Sequence, residues 1–477
     1  MAAMSYAPPP GYESSVVFQV PPGQRVTALL RRLSWHTAAF EVPGAWPPMR
    51  LSERLREVKI WAAGTQVYEG PAVVTSLVDA GTGYLGEIKL DPGVVSQLLR
   101  DRHNGQPHIV PGNFDSFLRE WHRVYCLRPE YKAAVADLYS FLTELRLWLK
   151  QGELLNCGPG DEQKQSRILD WLRDVEPRVT AALGELFQRY EAAMARIDPE
   201  LVAVHYRFGR QQLHSFLLCA PSVRRSFQKP LGYSGDYEVV NMMFRDPFQG
   251  ETLLGMLINA YALQLPPIVG HRNRIAYLKR VLIEESVRIA GSQALLRVFS
   301  LGCGPAHEIQ QFLAESELSD RLDAVLADFN SETLDHTRAV LESLRQRYHR
   351  RASLRLIQQS AQDCILEAER KVQTGRSAQY DLVYCAGLFD YLSDRLCRRL
   401  LGVLYNQLKP GGLLIATNVD HHRARYEMEC FLDWHLVYRN TADMAALVPA
   451  ECPLDAVAVR RESAGVNVFL EIRKPAA

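Results

Sequence analysis

Two glycines and one aspartate in the C-terminal part of the chain could hold a nucleotide-like ligand. Gly302 and Gly304 flank Cys303 in a turn that follows the apolar run 298–301. Because glycine has no Cβ, a ligand can lie against this backbone, and the N–H groups that open the next helix can hold an anionic group. Asp328 follows the next predicted strand, where a carboxylate can accept hydrogen bonds from ribose hydroxyls. Asp328 could instead cap a helix, although Ser331 is better placed to do so.

A second group of polar and aromatic side chains lies in the turn 229–241, which differs from its helical surroundings. Its members that could hydrogen-bond a substrate or act in catalysis are Tyr233, Asp236, Tyr237 and Asn241. A turn between two helices needs only one or two such groups, and the clustering of four favours a functional role. The alternative is a structural turn in which Asp236 is the N-cap of the following helix.

Arginines and histidines outside these two groups offer further chemistry. Arg272 and Arg439 could pair with an anionic substrate group, although Arg272 could also belong to a solvated helix face. The pair His421 and His422 raises the question of a metal. Adjacent histidines point apart and no third ligand is evident, so we predict no metal site.

The elements that must position these residues alternate between strand and helix from Leu295 onward. This pattern predicts an α/β domain with a doubly wound, seven-stranded parallel sheet and an antiparallel last strand. Strands are predicted at 297–301, 322–327, 354–358, 382–385, 413–418, 455–460 and 466–472, and helices at 306–315, 331–348, 364–372, 394–407 and 423–434.

The preceding part of the chain has two other sequence patterns. Residues 15–110 contain six short β-type runs separated by turn residues, which predicts a small barrel, and residues 1–14 are Pro-rich and read as a disordered arm. Residues 111–290 have helical periodicity, with Gly152 to Asp161 as a connection and Pro177 as a predicted kink or break. This region could form a lid over the last domain, which is predicted to span 291–477.

Composition excludes several classes of function. The formal net charge of +1 over 477 residues gives no reason to expect a nucleic-acid partner. Nine scattered cysteines without a C-x-x-C pair suit reduced thiols, and no secretory signal is apparent, so we expect a cytoplasmic protein. The longest apolar run, 253–269, is interrupted by Asn259, Gln264 and two prolines and is a poor membrane span. The sequence says nothing about oligomeric state.

The C-terminal pattern resembles the class I S-adenosylmethionine-dependent methyltransferases, the Rossmann-like methyltransferase fold. The resemblance rests on the Gly302-Cys303-Gly304 turn, Asp328, the strand and loop 380–392, and the Pro410-Gly411-Gly412 turn. His307 stands where a dinucleotide-binding G-x-G-x-x-G loop has its third glycine, which weighs against NAD. The resemblance implies S-adenosylmethionine as cofactor. The cofactor-binding residues that it implies are Gly302, Cys303, Gly304, Asp328, Ser360, Ala361, Ala386, Gly387 and Phe389.

Residues 200–477 are further similar to proteins named for biosynthesis of the extracellular factor 3-hydroxypalmitic acid methyl ester. The similarity lies in the turn 232–238, the helical tract and the segment 429–439. It implies methyl transfer to the carboxylate of a hydroxy fatty acid, a small-molecule or lipid-like substrate. Asp236 suits an amine better than an anion, so methylation of an amine or amino acid is the alternative.

The barrel resembles a PilZ domain, the bacterial cyclic-di-GMP receptor. Ser34 matches the family's D/N-x-S-x-x-G turn, whereas Arg32 and Thr37 replace its acidic or amide residue and its glycine, and no R-x-x-x-R segment precedes them. Cyclic-di-GMP binding is therefore not expected, and docking or covering another domain is the favoured role. A hypothesis from a different class is a regulatory binding protein whose methyltransferase domain is inert, which the intact Gly302, Gly304 and Asp328 oppose.

Overall fold

A computed structural model describes residues 14–20, 24–33, 37–43, 53–62, 65–79, 83–91, 127–155, 164–292, 294–374 and 380–476. The chain divides into two compact units, Met1–Leu118 and Arg119–Ala477. The helices and the large sheet lie together in the second unit, so a separate helical domain ending at residue 290 stays a prediction. The predicted arm, apart from Ser14, and the helical pattern near residues 114–124 lie outside the described residues.

The first unit contains the predicted barrel. Its six strands are β1 (Ser15–Val20), β2 (Gln24–Leu33), β3 (Thr37–Pro43), β4 (Arg54–Ala62), β5 (Thr65–Asp79) and β6 (Gly83–Leu90). They close in the order β1-β2-β3-β6-β5-β4, and every neighbouring pair is antiparallel. Alternate residues such as Phe18, Phe40 and Ile60 fill the interior. Ser34 lies outside the described residues, so the ligand motif of the barrel stays untested.

Helices dominate the start of the second unit, as the periodicity predicts. They are α1 (Pro129–Leu155), α2 (Lys164–Met194), α3 (Val202–Leu217), α4 (Pro221–Gln228), α5 (Tyr237–Met242), α6 (Leu253–Ala262) and α7 (Pro266–Ile289). Helix α2 continues through Pro177, so the predicted division there is wrong. Helix α1 extends to Leu155, into the predicted connection, whose remainder is not described.

In the described part of the chain, no single helix is both long enough and apolar enough to span a membrane. Helices α6 and α7 together have sufficient length and apolar character, but they are bent by 60° relative to each other.

The second unit continues with a sheet of seven strands. The strands are β7 (Leu296–Leu301), β8 (Leu322–Asp328), β9 (Ser353–Gln358), β10 (Tyr380–Ala386), β11 (Leu408–Val419), β12 (Val457–Arg461) and β13 (Asn467–Arg473). Their order is β12-β13-β11-β10-β7-β8-β9. Strands β7 to β11 pair in parallel, and β13 is antiparallel to β11 and β12, which confirms the predicted last strand.

Six further helices accompany this sheet. They are α8 (His307–Glu315), α9 (Ser331–Arg347), α10 (Ala361–Thr374), α11 (Asp394–Asn406), α12 (Arg425–Phe431) and α13 (Thr441–Ala445). Alternate strand residues pack into two different cores. Val298 and Leu382 pack with Ile309 of α8, whereas Phe299 and Val383 pack with Leu400 of α11. Both faces of the sheet therefore carry helices.

Strand β7 marks the point at which the strand order reverses. Its neighbours are β8 on one side and β10 on the other. In open α/β sheets, ligands bind beyond the carboxyl ends of the strands at such a switch point. The fold thus directs attention to the loops after Leu301, Asp328 and Ala386.

Candidate cofactor and acceptor site

The loop after β7 is held in an unusual backbone conformation. Gly302, Gly304 and Ala306 have φ angles of 70°, 52° and 53°, in the left-handed region that favours glycine. The N–H groups of Gly302 and Cys303 both donate to the carbonyl of Ala327, at 2.8 and 3.0 Å, which ties the loop to β8. A Cβ placed on Gly304 would have no atom within 4 Å. Backbone is therefore presented to open space at this position.

Asp328 lies at the end of β8 beside this loop. Its Oδ2 accepts the N–H of Gly304 at 3.0 Å, and its Oδ1 accepts the N–H of Asn330 at 3.0 Å. The carboxyl group is 5% exposed, and burial raises its pKa while the backbone hydrogen bonds oppose that shift. Asn330, not Asp328, is the N-cap of α9. A third backbone N–H, that of Phe329, also acts on the carboxylate, which keeps part of its acceptor capacity for a further donor.

Ser360 and Ala361, two of the predicted cofactor-binding residues, follow β9, but Ser360 has a structural partner. Its hydroxyl donates to Oδ2 of Asp363 at 2.7 Å, and it accepts the backbone N–H of Asp363 at 3.1 Å. This reciprocal arrangement caps the start of α10. Ala361 is the first residue of that helix, so its N–H remains a candidate contact for a ligand.

The predicted cofactor-binding residues in the loop after β10 have different surroundings. Gly387 has a φ angle of 92°, and its N–H donates to the hydroxyl of Thr417 at 3.1 Å. The Cβ of Leu388 lies 3.5 Å from the position of a Cβ on Gly302, so Leu388 adjoins the glycine loop. Phe389 is fully buried in the core of the sheet. Its ring is therefore not a cofactor contact, which corrects that prediction.

Asp236 is the N-cap of α5, the structural role that the sequence offered as the alternative to catalysis. Its carboxylate is fully buried and accepts the N–H groups of Glu238 and Val239, each at 3.0 Å. The guanidinium of Arg225 also pairs with it at 2.9 Å. Because these donors satisfy the carboxylate, Asp236 shapes the turn as an N-cap and ion-pair partner, and a catalytic role for its carboxylate lacks support.

Asn241 connects the turn to the helix that follows the glycine loop. Its Oδ1 accepts a hydrogen bond from Nε2 of His307 at 3.0 Å, and its Nδ2 donates to Nε2 of His336 at 3.0 Å. Tyr237 donates to Glu332 of α9 at 3.0 Å, and its ring lies 4.6 Å from that of His336. The turn therefore lies over the start of α8 and α9, near the loop.

Tyr233 lies near the predicted ribose-binding residue. Its ring centroid is 5.5 Å from that of Phe329, which directly follows Asp328. Burial, with a smaller contribution from the charge of Asp328, raises the pKa of the phenol. Phe329 is 50% exposed, an aromatic face that sequence reasoning missed although its position next to Asp328 could have indicated it.

The two arginines predicted to bind substrate already bind protein groups. Arg272 donates to the carbonyls of Met243 and Leu263, at 3.1 and 2.9 Å. Arg439 is 2% exposed, and each of its three guanidinium nitrogens has a partner within the fold. These partners are the carboxylate of Asp394, Oδ1 of Asn418 and the carbonyls of Phe389 and Leu392. Both side chains therefore hold loops together. The donors of Arg439 are taken up within the fold, which speaks against a substrate contact there, whereas the substrate contact of Arg272 stays a prediction.

Arg274, which the sequence did not distinguish from its neighbours in the run 271–274, adjoins the switch point. A Cβ placed on Gly387 would lie 2.9 Å from Nη2 of Arg274. Arg274 contacts Nδ1 of His271 at 2.6 Å through the same nitrogen. Its position in the run 271–274 was the available signal, but a helical pattern alone does not say which of these side chains faces the sheet.

Two histidines near the loop, His307 and His271, are neutral near neutral pH. Burial lowers the pKa of His307 to about 4 and lowers that of His271 strongly. Within the described ranges, no group of three or more His, Cys, Asp or Glu side chains is arranged to hold a metal ion. The geometry thus offers bare backbone, one buried carboxylate and several neutral hydrogen-bonding groups at one edge of the sheet.

No protein-family model and no curated protein matches the chain. Among solved structures, the chain is similar to a possible exported protein from Bordetella parapertussis, with 19% identity, a TM-score of 0.40 and coverage of 58% of this chain and 96% of that one. Magnesium protoporphyrin IX methyltransferase from Synechocystis, solved with bound SAM, gives 11% identity, a TM-score of 0.33 and coverage of 53% and 97%. N-methyltransferase NodS from Bradyrhizobium japonicum, in complex with S-adenosyl-L-homocysteine, gives 14% identity, a TM-score of 0.29 and coverage of 53% of this chain and 99% of that one. At these scores, functional conclusions rest on the geometry of this chain.

Proposed function

We propose that the chain is an S-adenosylmethionine-dependent methyltransferase that esterifies the carboxylate of a hydroxy fatty acid. The observation that carries the proposal is the pairing of Asp328 with the N–H of Gly304 at the switch point of the sheet. It brings a buried acceptor next to backbone without side chains, which suits a ribose and the amino-acid tail joined to it.

The residues present fit this cofactor. The open space over Gly304 can take the amino-acid tail. The acceptor capacity that the backbone leaves on Asp328 can take a ribose hydroxyl. Phe329 offers an exposed ring for the adenine, and the N–H of Ala361 lies at the start of a helix on the same edge. When bound, the cofactor supplies an electrophilic methyl group on a sulfonium. NAD fits less well, because His307 replaces the glycine that allows close packing of helix and strand.

A carboxylate acceptor suits the protonation states around the loop. A carboxylate is ionised at neutral pH, so its methylation needs orientation and exclusion of water but no general base. His307, with a pKa lowered to about 4, is a poor base at neutral pH. An alcohol or an ammonium ion would need such a base. The neutral phenol of Tyr233 can instead donate a hydrogen bond to an acyl head group, and Nδ1 of neutral His307 can accept one from its hydroxyl, while Asn241 holds the His307 ring in place.

The helical part of the second unit supports an acceptor with an alkyl chain. The ring of Phe244 lies 4.3 Å from that of His307, so apolar surface reaches the glycine loop. Phe244 packs against the large helical core, whose partly buried members also include Phe248 and Met256. Apolar surface of this kind can cover a hydrocarbon chain and exclude water from the reaction.

The test is a transfer assay with purified full-length protein and S-adenosylmethionine labelled in its methyl group. We expect label in the methyl ester of 3-hydroxypalmitate, identified by mass spectrometry, and none in a mixture of amines and amino acids. Label in the amine pool with unlabelled acid would replace the carboxylate with a nitrogen acceptor. No transfer, together with no binding of S-adenosylmethionine by calorimetry, would remove the proposed enzyme function altogether.

For the barrel, we propose a role in docking without cyclic-di-GMP. The support is the departure of Arg32 and Thr37 from the PilZ ligand motif. Calorimetry with cyclic-di-GMP is expected to show no binding. Tight binding of this nucleotide without binding of S-adenosylmethionine would favour a regulatory protein.

A further inference from the structure

Arg274 is a buried cation without a carboxylate partner. The side chain lies on α7 and is 7% exposed. Across the described residues, no carboxylate oxygen lies within 4.0 Å of its guanidinium, whereas Arg225, Arg439 and Arg473 all have such a partner. A buried charge is costly unless it is paired. The fold therefore keeps a guanidinium at this edge of the sheet without a carboxylate in contact with it.

The groups around Arg274 add donors and no free acceptor. Because arginine can only donate, Nδ1 of His271 accepts from it and the neutral ring carries its proton on Nε2. Buried Nε2 of His271, Nε of Arg274 and Nδ2 of Asn467 all lack hydrogen-bond partners. Oδ1 of Asn467 is taken, since it accepts from Nη1 of Arg274 at 3.3 Å. What is missing from this group is an acceptor, preferably an anionic one.

The nearest carboxyl groups are engaged elsewhere. Glu308 accepts the hydroxyl of Tyr384 at 2.8 Å, and Asp390 accepts the N–H of Val419 at 2.6 Å. Both influence Arg274 only through longer-range charge. The guanidinium packs directly against Gly387, since a Cβ at that position would lie 2.9 Å from Nη2 and a side chain there would displace Arg274.

We propose that the Arg274 guanidinium, with His271 as a supporting donor, binds the carboxylate of the methyl acceptor at the end of β10. The inference rests on the proposed methyltransferase function and adds the subsite for the reacting group. Arg274 thereby acts as a binding and specificity-determining residue. It would also explain why an unpaired cation is retained, since the acid supplies the missing counter-ion when it binds.

The test compares R274M with R280M, which removes an exposed arginine from the same helix. For R274M, we expect the KM for 3-hydroxypalmitate to rise about tenfold to hundredfold, as for loss of a charged hydrogen bond, with unchanged affinity for S-adenosylmethionine. R274K, which keeps the charge, is expected to lose less. R280M should behave as the wild type. We expect at most a modest fall in the melting temperature of ligand-free R274M, because Nδ1 of His271 and Oδ1 of Asn467 lose their donor while a buried cation without a carboxylate contact is removed.

Binding measurements separate this subsite from the methyltransferase proposal. Calorimetry on the complex with S-adenosylhomocysteine would compare 3-hydroxypalmitate with its primary amide. Tighter binding of the acid in the wild type, lost in R274M, would support the subsite even if no ester formed. Equal binding of acid and amide by the wild type would overturn the subsite.

An R274M variant that loses affinity for the cofactor but keeps its KM for the acid would also overturn the subsite. That result would place the cofactor's own carboxylate against Arg274. A lower melting temperature of R274M with an unchanged KM would reduce Arg274 to packing.

Discussion

The backbone N–H of Gly304 donates to Oδ2 of Asp328, with 3.0 Å between the two atoms. This contact joins the ends of β7 and β8 and aims the carboxylate at the space over the glycine loop. The N–H of Asn330 orients the other oxygen. Because both oxygens are fixed by backbone, the carboxylate has a defined orientation in which it could accept the ribose hydroxyls of the proposed cofactor.

Replacing this carboxylate by an amide should weaken cofactor binding. In Asp328→Asn, one oxygen that accepts hydrogen bonds becomes a donor, so we expect a loss of affinity for S-adenosylmethionine of about tenfold or more. Calorimetry measures this directly. The matched control is Asp335→Asn, an exposed residue of α9 paired with Arg338 at 2.7 Å, which should bind normally. Unchanged affinity in the Asp328 variant would remove this residue from the cofactor site.

A side chain at Gly387 should be harmful for two reasons. The φ angle of 92° is strained for any residue with a Cβ, at roughly 1–2 kcal/mol. The added Cβ would also lie 2.9 Å from Nη2 of Arg274, which adds about 1–3 kcal/mol of overpacking. Gly387→Ala should therefore lower the free energy of unfolding more than Gly465→Ala does. Gly465 has a similar φ angle of 74° and no atom within 4 Å of its Cβ position. Denaturant titration compares the two, and equal losses would show that Arg274 moves away without cost.

The pH dependence of the reaction should lack a histidine limb. Burial lowers the pKa of His307 to about 4, so the ring stays neutral across roughly pH 6 to 8. With an ionised carboxylate as acceptor, kcat/KM for 3-hydroxypalmitate should be level over that interval. The measurement is a pH–rate profile with saturating cofactor. A rise with a midpoint near pH 6.5 would instead indicate a histidine base that titrates normally.

Asp236 should matter for folding more than for chemistry. Asp236→Ala removes an N-cap and one partner of a buried ion pair, so we expect a loss of about 3 kcal/mol or more in the free energy of unfolding. Asp236→Asn keeps a capping side chain and should lose less. Tyr237→Phe removes one exposed hydrogen bond to Glu332 and should be nearly neutral. Thermal unfolding ranks the three variants. A fully stable Asp236→Asn protein without activity would restore the catalytic hypothesis.

The sequence reveals the ligand edge because its signals are local. Gly302 and Gly304 need an unusual backbone, and Asp328 ends a strand, so residue type and position suffice to find them. The relationship between Arg274 and Gly387 is tertiary, since it depends on how α7 packs against the end of β10. Arg439 illustrates the opposite error: its charge suggested a ligand, and only the fold reveals the carbonyls and carboxylate that already satisfy it. The prediction of a ring contact from Phe389 was off by one residue. In this tight loop, neighbouring side chains point in different directions, so Phe389 lies in the core while Leu388 lies against the glycine loop.

A partly buried carboxyl group on α2 should make stability depend on pH. Glu191 of α2 accepts the N–H groups of Tyr426 and Glu427 at the start of α12. Burial raises its pKa to about 7, the backbone hydrogen bonds oppose this shift, and the neighbouring Glu429 adds to it. Burial also raises the pKa of Glu427 strongly. Since the folded state holds this proton more tightly than the unfolded state, the group's contribution to stability is present at low pH and is lost as the pH rises through about 4.5 to 7.

In Glu191→Gln this loss should disappear. We expect the free energy of unfolding of the wild type to fall, relative to the variant, by up to about 1.4 kcal/mol per pH unit within that interval. The free energy of unfolding of the variant, relative to that of the wild type, should therefore be higher at pH 8 than at pH 5. Urea titrations across this range measure the difference, and Glu185→Gln, an exposed residue of the same helix, serves as control. Parallel pH profiles for the wild type and Glu191→Gln would mean that the carboxyl of Glu191 titrates alike in the folded and unfolded states, so that its burial is too shallow to hold the proton.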